Sequence, residues 1–203
     1  ADPDRVVAIP HGVPAAAEGG DPGAGAALAG GDRYLLAVGT VEPRKDLPTL
    51  VAAFDALAGD DPHLRLVIAG ADGWGAEALT DAIAASRNGD RVVRLGWVDD
   101  AGRAALLREA AVFAYPSRYE GFGLPPVEAM AAGVPVVATR AGSLPEVCGD
   151  GADLVPPQDP DALAAAVGRL LADPAHRAAL VERGHQVAAG YDWDVTAARF
   201  AAL

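Results

Sequence analysis

The sequence predicts an α/β fold, a doubly wound Rossmann-like parallel sheet, and two observations carry that expectation. From Arg33 onward, short apolar runs alternate repeatedly with longer helical segments. The runs, such as Tyr34-Leu-Leu-Ala-Val38 and Val112-Phe-Ala-Tyr115, are apolar without interruption, as strands covered by helices on both faces are. Crossovers in such a sheet are right-handed, and ligands bind beyond the carboxyl ends of the strands. Function is therefore expected in the strand-to-helix loops.

The elements follow in order. Arg5-Val-Val-Ala-Ile9 reads as a short strand, and the Ala/Gly/Pro-rich stretch 14–31 reads as a linker entering a domain. Strands are expected over 34–38, 64–69, 92–95, 112–115 and 135–138, with a short extended piece at 153–155. Helices are expected over 47–57, 76–85, 102–110, 125–132, 162–171 and 175–188. After a Gly190 break, Asp194 reads as a cap for a last helix with apolar Trp193, Val195, Ala198, Phe200 and Leu203, expected to pack outside the domain. The division is thus 1–32 as interdomain strand and linker, 33–190 as the ligand-binding domain, and 191–203 as a C-terminal helix.

Composition bounds the function. At 203 residues and 51% hydrophobic content, the chain suits one α/β domain with a substantial core. A formal net charge of -12 argues against a broad nucleic-acid surface, because duplex binding needs clustered cations, so any phosphate contact must be local. No apolar run approaches the ~20 residues of a membrane span, and a soluble, cytoplasmic protein is expected. The lone Cys148 excludes an intrachain disulfide and reads as a small buried residue. Among 16 basic residues, Lys45 is the one lysine. A compact ammonium and a planar guanidinium are not interchangeable, so this lysine marks a position where arginine does not serve.

Two loops carry chemistry. In Val38-Gly-Thr-Val-Glu-Pro-Arg-Lys-Asp-Leu47 a strand ends at Gly39 and a helix begins after Asp46. Gly39 lets a ligand approach the backbone, and Arg44 and Lys45 precede a helix N-terminus that already favours anions. The plain alternative is two solvated cations with Asp46 as an ordinary cap. In Tyr115-Pro-Ser-Arg-Tyr-Glu-Gly-Phe-Gly-Leu-Pro-Pro-Val-Glu128, Glu120 precedes a helix and Glu128 lies about one turn inside it. Gly121 and Gly123 clear side chains from the backbone between them, so the loop can grip hydroxyl and phosphate oxygens together. Here the alternative is that the glutamates only complement a helix dipole.

Glu120-Gly-Phe-Gly-Leu-Pro-Pro-Val-Glu128 resembles the E-x7-E signature of the retaining GT-B glycosyltransferases of family 4, the glycosyl transferases group 1. The likeness extends through Val38–Asp46, Pro116-Ser117, Ala129–Val137, Gly142–Glu146 and Leu154–Pro157, and departs at Pro14, where the family usually has an acidic residue. The resemblance implies the C-terminal, donor-binding half of a GT-B fold and a nucleotide-diphosphate sugar as donor, with GDP-mannose favoured by Glu42-Pro-Arg-Lys-Asp46. It implies that Gly39, Arg44 and Lys45 hold the diphosphate, and that Glu120, Gly121, Phe122, Gly123 and Leu124 hold the sugar. Glu128 would hold the ribose and Val98, in Gly96-Trp-Val-Asp99, would lie at the nucleobase. Glu120, Arg44 and Lys45 would be catalytic, no metal or cofactor is expected, and the acceptor would sit on an N-terminal domain of the same enzyme, without which the chain should bind better than it transfers. That domain could bring the enzyme to the inner face of a membrane. A non-catalytic nucleotide-binding module and a GT-B epimerase or phosphorylase remain open.

Other motifs carry less. Gly70-Ala-Asp-Gly-Trp-Gly75 does not fit a dinucleotide loop and reads as a turn bordering the cleft. Asp2-Pro-Asp4, Asp159-Pro-Asp161 and Asp192-Trp-Asp194 match a metal-binding D-x-D string, but capping is the cheaper account of the last two. His11, His63, His176 and His185 lack ligand spacing, and only His11 is a cleft candidate. Glu146 could face the donor or cap the segment after it.

Overall fold

The computed structural model describes residues 7–13 and 21–202. Among these residues, six parallel strands form one sheet: β1 (Tyr34–Val38), β2 (Arg65–Ala69), β3 (Val92–Gly96), β4 (Val112–Tyr115), β5 (Val136–Thr139) and β6 (Ala152–Val155). Their order is β3-β2-β1-β4-β5-β6. The chain winds outward from β1 in one direction, then returns to the other side of β1 and winds outward again. This is the doubly wound arrangement the alternating pattern predicts.

Each strand sends alternate side chains to opposite faces. Leu35 and Ala37 of β1, Leu66 and Ile68 of β2, and Val112 and Ala114 of β4 enter one core. There they meet α2 (Leu47–Ala58), α3 (Ala76–Ala85) and α7 (Pro160–Ala172) through Leu50, Phe54, Leu79, Leu163 and Val167. Tyr34, Leu36, Val67, Phe113, Tyr115 and Val136 enter the other. That core is closed by α4 (Asp100–Glu109), α5 (Leu124–Ala131) and α6 (Leu144–Cys148) through Leu106, Met130, Leu144 and Cys148. Full burial of such aliphatic and aromatic side chains contributes about 2 kcal/mol each, which is why the central strand positions are apolar on both faces of the sheet. Cys148 lies wholly inside, and burial pushes its thiol up to about 12, so it is a packing residue.

The observed strands and helices depart from expectation mainly at the ends of the chain. Of the expected strand through Ile9, residues 7–9 adopt no strand among the described residues, and Arg5 and Val6 lie outside them. The expected linker contains α1 (Ala24–Ala29). Its free N-terminal amides are met from afar: the Glu109 carboxylate accepts from Gly23 N at 3.0 Å and Ala26 N at 2.8 Å. Pro14 and its neighbours through residue 20 lie outside the described residues. The extended piece near 153 is a full strand, and α6 was not expected. α8 (Pro174–Ala188) is followed by α9 (Trp193–Ala201), whose cap is Asp192 rather than Asp194: the Asp192 carboxylate accepts from Asp194 N at 2.6 Å. α9 is tied to segment 10–13, with Thr196 Oγ1 donating to Pro10 O at 2.9 Å and Val13 N to Tyr191 O at 2.8 Å. Trp193, Val195 and Phe200 are left exposed on it. No helix among the described residues is long and apolar enough to cross a membrane.

Candidate functional site

Strands β1 and β4 lie side by side, yet α2 packs on one face of the sheet and α5 on the other. The two loops leaving these strands must therefore diverge, opening a crevice at the point where the winding direction reverses. Both loops singled out in the sequence are the ones that leave β1 and β4.

The β1 loop is shaped by glycine. Gly39 has φ 143, and a Cβ there would come within 3.3 Å of Lys45 Cε. The facing Gly70 has even less room, because a Cβ would fall 2.0 Å from the Gly39 carbonyl oxygen. A 3-10 turn at Pro43–Lys45 then folds the loop back, and Asp46 follows in a left-handed conformation with φ 50. Asp46 does not cap α2 with its side chain. Its Oδ1 accepts from Arg118 at 2.6 Å, while Oδ2 is buried without a hydrogen-bond partner among the described residues. The ordinary cap of the plain alternative is thus replaced by an ion pair to the β4 loop, and Arg118 N also donates to Arg44 O at 2.7 Å.

This folding buries Lys45, which is only 8% exposed, beside Glu120 at 7%. Lys45 Nζ donates to Glu120 Oε1 at 2.7 Å and also to the Tyr115 hydroxyl. The same Oε1 accepts from Tyr115 at 2.9 Å and from Ser117 at 2.7 Å. Arg44 holds the other oxygen, with NH1 at 2.7 Å from Oε2, while its Nε reaches Glu42 at 2.7 Å. The alternative of solvated cations therefore fails for Lys45. Glu120 does more than complement a helix dipole, because two cations converge on it.

The protonation states follow from this packing. Burial pushes the Glu120 carboxyl up, but the hydrogen bonds from Lys45, Ser117 and Tyr115 and the Lys45 charge outweigh it and hold the group below the ordinary value. Burial lowers the Lys45 ammonium, and Glu120 offsets part of that. Burial and the adjacent carboxylate push the Tyr115 phenol well up, so it remains a donor. The outcome is a preorganised, ionised cluster at the mouth of the crevice.

The segment between the two glutamates is pinned from behind. Ser143 donates its amide to Glu120 O at 3.2 Å and its hydroxyl to Phe122 O at 2.6 Å. Gly142, at φ 56, leaves no room for a side chain, since a Cβ would lie 2.7 Å from Glu120 O. Gly123 turns at φ 103 into α5, and Gly121 faces open space. Phe122 packs edge-on against His11, 5.2 Å between ring centroids, and against Tyr191 at 5.5 Å. His11 thus lies beside the loop expected to hold the sugar. Leu124 is partly exposed at the start of α5.

Glu128 lies on α5 beyond that turn. Its Oε2 accepts from Arg103 NH1 of α4 at 2.5 Å. Helix α4 begins directly after Gly96-Trp-Val-Asp99, where Asp99 caps it by accepting from Gly102 N at 2.8 Å. Val98 is half-buried against the core, and Trp97 is 76% exposed. Glu146 is exposed in the first turn of α6. The 70–75 turn borders the β1 loop through a Val41–Asp72 bridge, and Asp159 caps α7 through Ala162 N at 2.9 Å. Asp2 and Asp4 lie outside the described residues.

Residues missed in the sequence are Tyr115, Ser117, Arg118, Glu42, Ser143 and Arg103. The first three sit within the quoted β4 loop and could have been read as the donors that a buried carboxylate requires. Arg103 has no local signal, because its partner is 25 residues away on another helix.

The profile of the family described as glycosyl transferases group 1 matches residues 25–187. O-antigen chain mannosyltransferase B of Escherichia coli is 37% identical over 162 residues, covering 79% of this chain and 42% of its own length. Sucrose-phosphate synthase of Thermosynechococcus elongatus superposes with a TM-score of 0.78 at 33% identity, over 89% of this chain and 47% of that one. HepE of Anabaena, solved in complex with UDP and glucose, shares the fold with a TM-score of 0.78 at 24% identity, over 90% of this chain and 52% of its own. The chain thus spans about half the length of the relatives it matches. With a six-stranded parallel sheet among the described residues, the E-x7-E pair on the loop and helix after β4, and this match across most of its length, the chain belongs to the GT-B glycosyl transferases group 1.

Proposed function

We propose that this chain binds a nucleotide-diphosphate sugar, GDP-mannose in the first instance, and presents its sugar for retaining transfer to an acceptor held by another domain of the same enzyme. The observation that carries this reading is the buried Lys45, set with Arg44 on Glu120 at the reversal point between β1 and β4. A cation excluded from water acts on a ligand charge far more strongly than one in solvent. The mannose choice draws on the 37% identical mannosyltransferase and GDP on the likeness of Glu42-Pro-Arg-Lys-Asp46, while the fold neighbour solved with UDP and glucose supports a nucleotide sugar without favouring GDP.

In the proposed reaction the bond from the sugar C1 to the β-phosphate oxygen breaks, and negative charge collects on the departing diphosphate. Lys45, Arg44 and the backbone at Gly39 take up that charge, a role that needs no metal. The acceptor hydroxyl attacks C1 from the same face, its proton passes to the departing phosphate oxygen, and the new glycosidic bond retains configuration. Glu120, engaged through both oxygens, positions the cations and sugar and forms no covalent bond. The loop amides of Gly121, Phe122, Gly123 and Leu124 border the sugar, Glu128 takes the ribose hydroxyls, and the backbone around Val98 takes the base.

Calorimetry of the chain with GDP, UDP and ADP tests the binding step, with GDP expected tightest. Binding of none would end this reading, and a UDP preference would replace GDP alone. In the full-length enzyme, Lys45→Ala is expected to slow transfer about 100-fold, the typical loss for one preorganised donor at developing charge. A trapped covalent sugar on Glu120 would overturn the front-face route.

A further inference from the structure

Arg103 occupies a position that the donor reading leaves unused. It lies one turn into α4, its amide donating to Asp99 O at 2.9 Å, so its place is fixed by the same turn that ends the Gly96-Trp-Val-Asp99 loop. Leu106 and Leu107 of the same helix are buried in the core, which fixes the helix against the sheet. From there the guanidinium crosses to α5 and binds Glu128 Oε2 at 2.5 Å. A second contact runs within α4, NH2 to Asp100 Oδ1 at 3.4 Å, but Asp100 is freely exposed and adds little constraint. No protein donor reaches Glu128 Oε1 among the described residues.

A carboxylate that must accept hydrogen bonds from a ribose diol needs a defined plane. An unpaired glutamate on a helix surface rotates freely about its terminal bond, whereas one oxygen held by a planar guanidinium fixes the other. We propose that Arg103 is a positioning residue that orients the Glu128 carboxylate toward the ribose. The inference rests on the nucleotide-sugar reading above. Arg103 itself touches neither nucleotide nor sugar.

The arrangement has a specific consequence. If Arg103 acts through Glu128, its removal weakens only binding that uses the ribose hydroxyls. Calorimetry of the chain and its Arg103→Gln, Arg103→Lys and Glu128→Gln variants, each with GDP, UDP and their 2′,3′-dideoxy counterparts, reads this directly. The wild type is expected to prefer the ribose form about tenfold, the scale of a hydrogen bond to a charged group. Glu128→Gln and Arg103→Gln should each lower affinity for the ribose forms and leave the dideoxy forms nearly unchanged, bringing the ratio toward one. Arg103→Lys, which keeps charge but loses the fork, should fall between, and it carries the test if the glutamine variant does not fold.

An Arg103 variant that keeps the full ribose preference overturns the inference, as does one that weakens ribose and dideoxy forms equally. A wild type that binds no nucleoside diphosphate overturns the underlying reading. A wild type that binds both sugar forms equally leaves nucleotide binding intact but removes the ribose role of Glu128, and the inference falls with it.

Discussion

The two glutamates of one motif, eight residues apart in sequence, live in different physical worlds. Glu120 is buried, held by two cations and two hydroxyls, and locked from behind by Gly142 and Ser143. Glu128 is half-buried on α5, its side chain 17% exposed, and among the described residues its one partner is Arg103, itself about a third exposed. A buried charge stripped of one partner leaves the others desolvated without compensation, whereas a partly exposed pair is backed up in part by water. The Glu120 end of the site is therefore held rigidly from several sides, and the Glu128 end depends on a single contact.

The largest effect that tests this contrast comes from removing Lys45. Lys45→Ala breaks a buried pair and should cost about 3 kcal/mol of folding stability, while Glu128→Gln should cost at most about 1 kcal/mol. Denaturant unfolding measures both, and equal losses would erase the distinction. Acid sharpens it further. Because the folded Glu120 carboxyl lies below its ordinary value of about 4.5, its contribution to stability is fully present above that value and is lost as pH falls through the folded value. The stability gap between the wild type and Glu120→Gln should be widest near neutrality and should close at low pH. A gap that stays constant to about pH 3 would mean that Glu120 does not titrate as this cluster requires.

Next in size are the glycines that frame the motif. Gly142→Ala meets both a left-handed φ of 56 and a backbone contact at 2.7 Å, so about 2 kcal/mol of destabilisation is expected. Gly121→Ala faces open space and should stay within about 0.5 kcal/mol. Thermal melts decide between a pinned loop and a loose one, and a silent Gly142→Ala would favour the loose one.

The same difference governs what could be read in advance. The strands were legible because sheets covered on both faces demand unbroken apolar runs, and Lys45 and Glu120 were legible because they lie in loops whose ends such a sheet brings together. Helix α1 was not, since its sequence is Ala and Gly but for Leu28 and its amides are satisfied by Glu109, more than eighty residues away. Helix α6 is five residues long and too short to show a period. Asp46 looked like a cap by type and place, but a left-handed φ turns its carboxylate toward Arg118 instead. Helix α1 and the Asp46 turn each depend on a partner distant in sequence, as does Arg103 on Glu128.

The smallest effect concerns Arg44, which bridges the two kinds of environment within one side chain. One of its carboxylates, Glu120, is buried, and the other, Glu42, is partly exposed at 2.7 Å. Glu42→Gln removes only the outer pair and should change stability by no more than about 0.5 kcal/mol. Its effect on binding should have the opposite sign to that of Lys45→Ala. Glu42 competes with a diphosphate for Arg44 and repels it, so removing that charge should tighten GDP binding, most visibly at low salt where exposed charges are least screened. Calorimetry at two ionic strengths measures this. Weaker binding by Glu42→Gln would mean that Glu42 aims the guanidinium at the ligand instead of holding it back, and Arg44 would then belong wholly to the rigid end of the site.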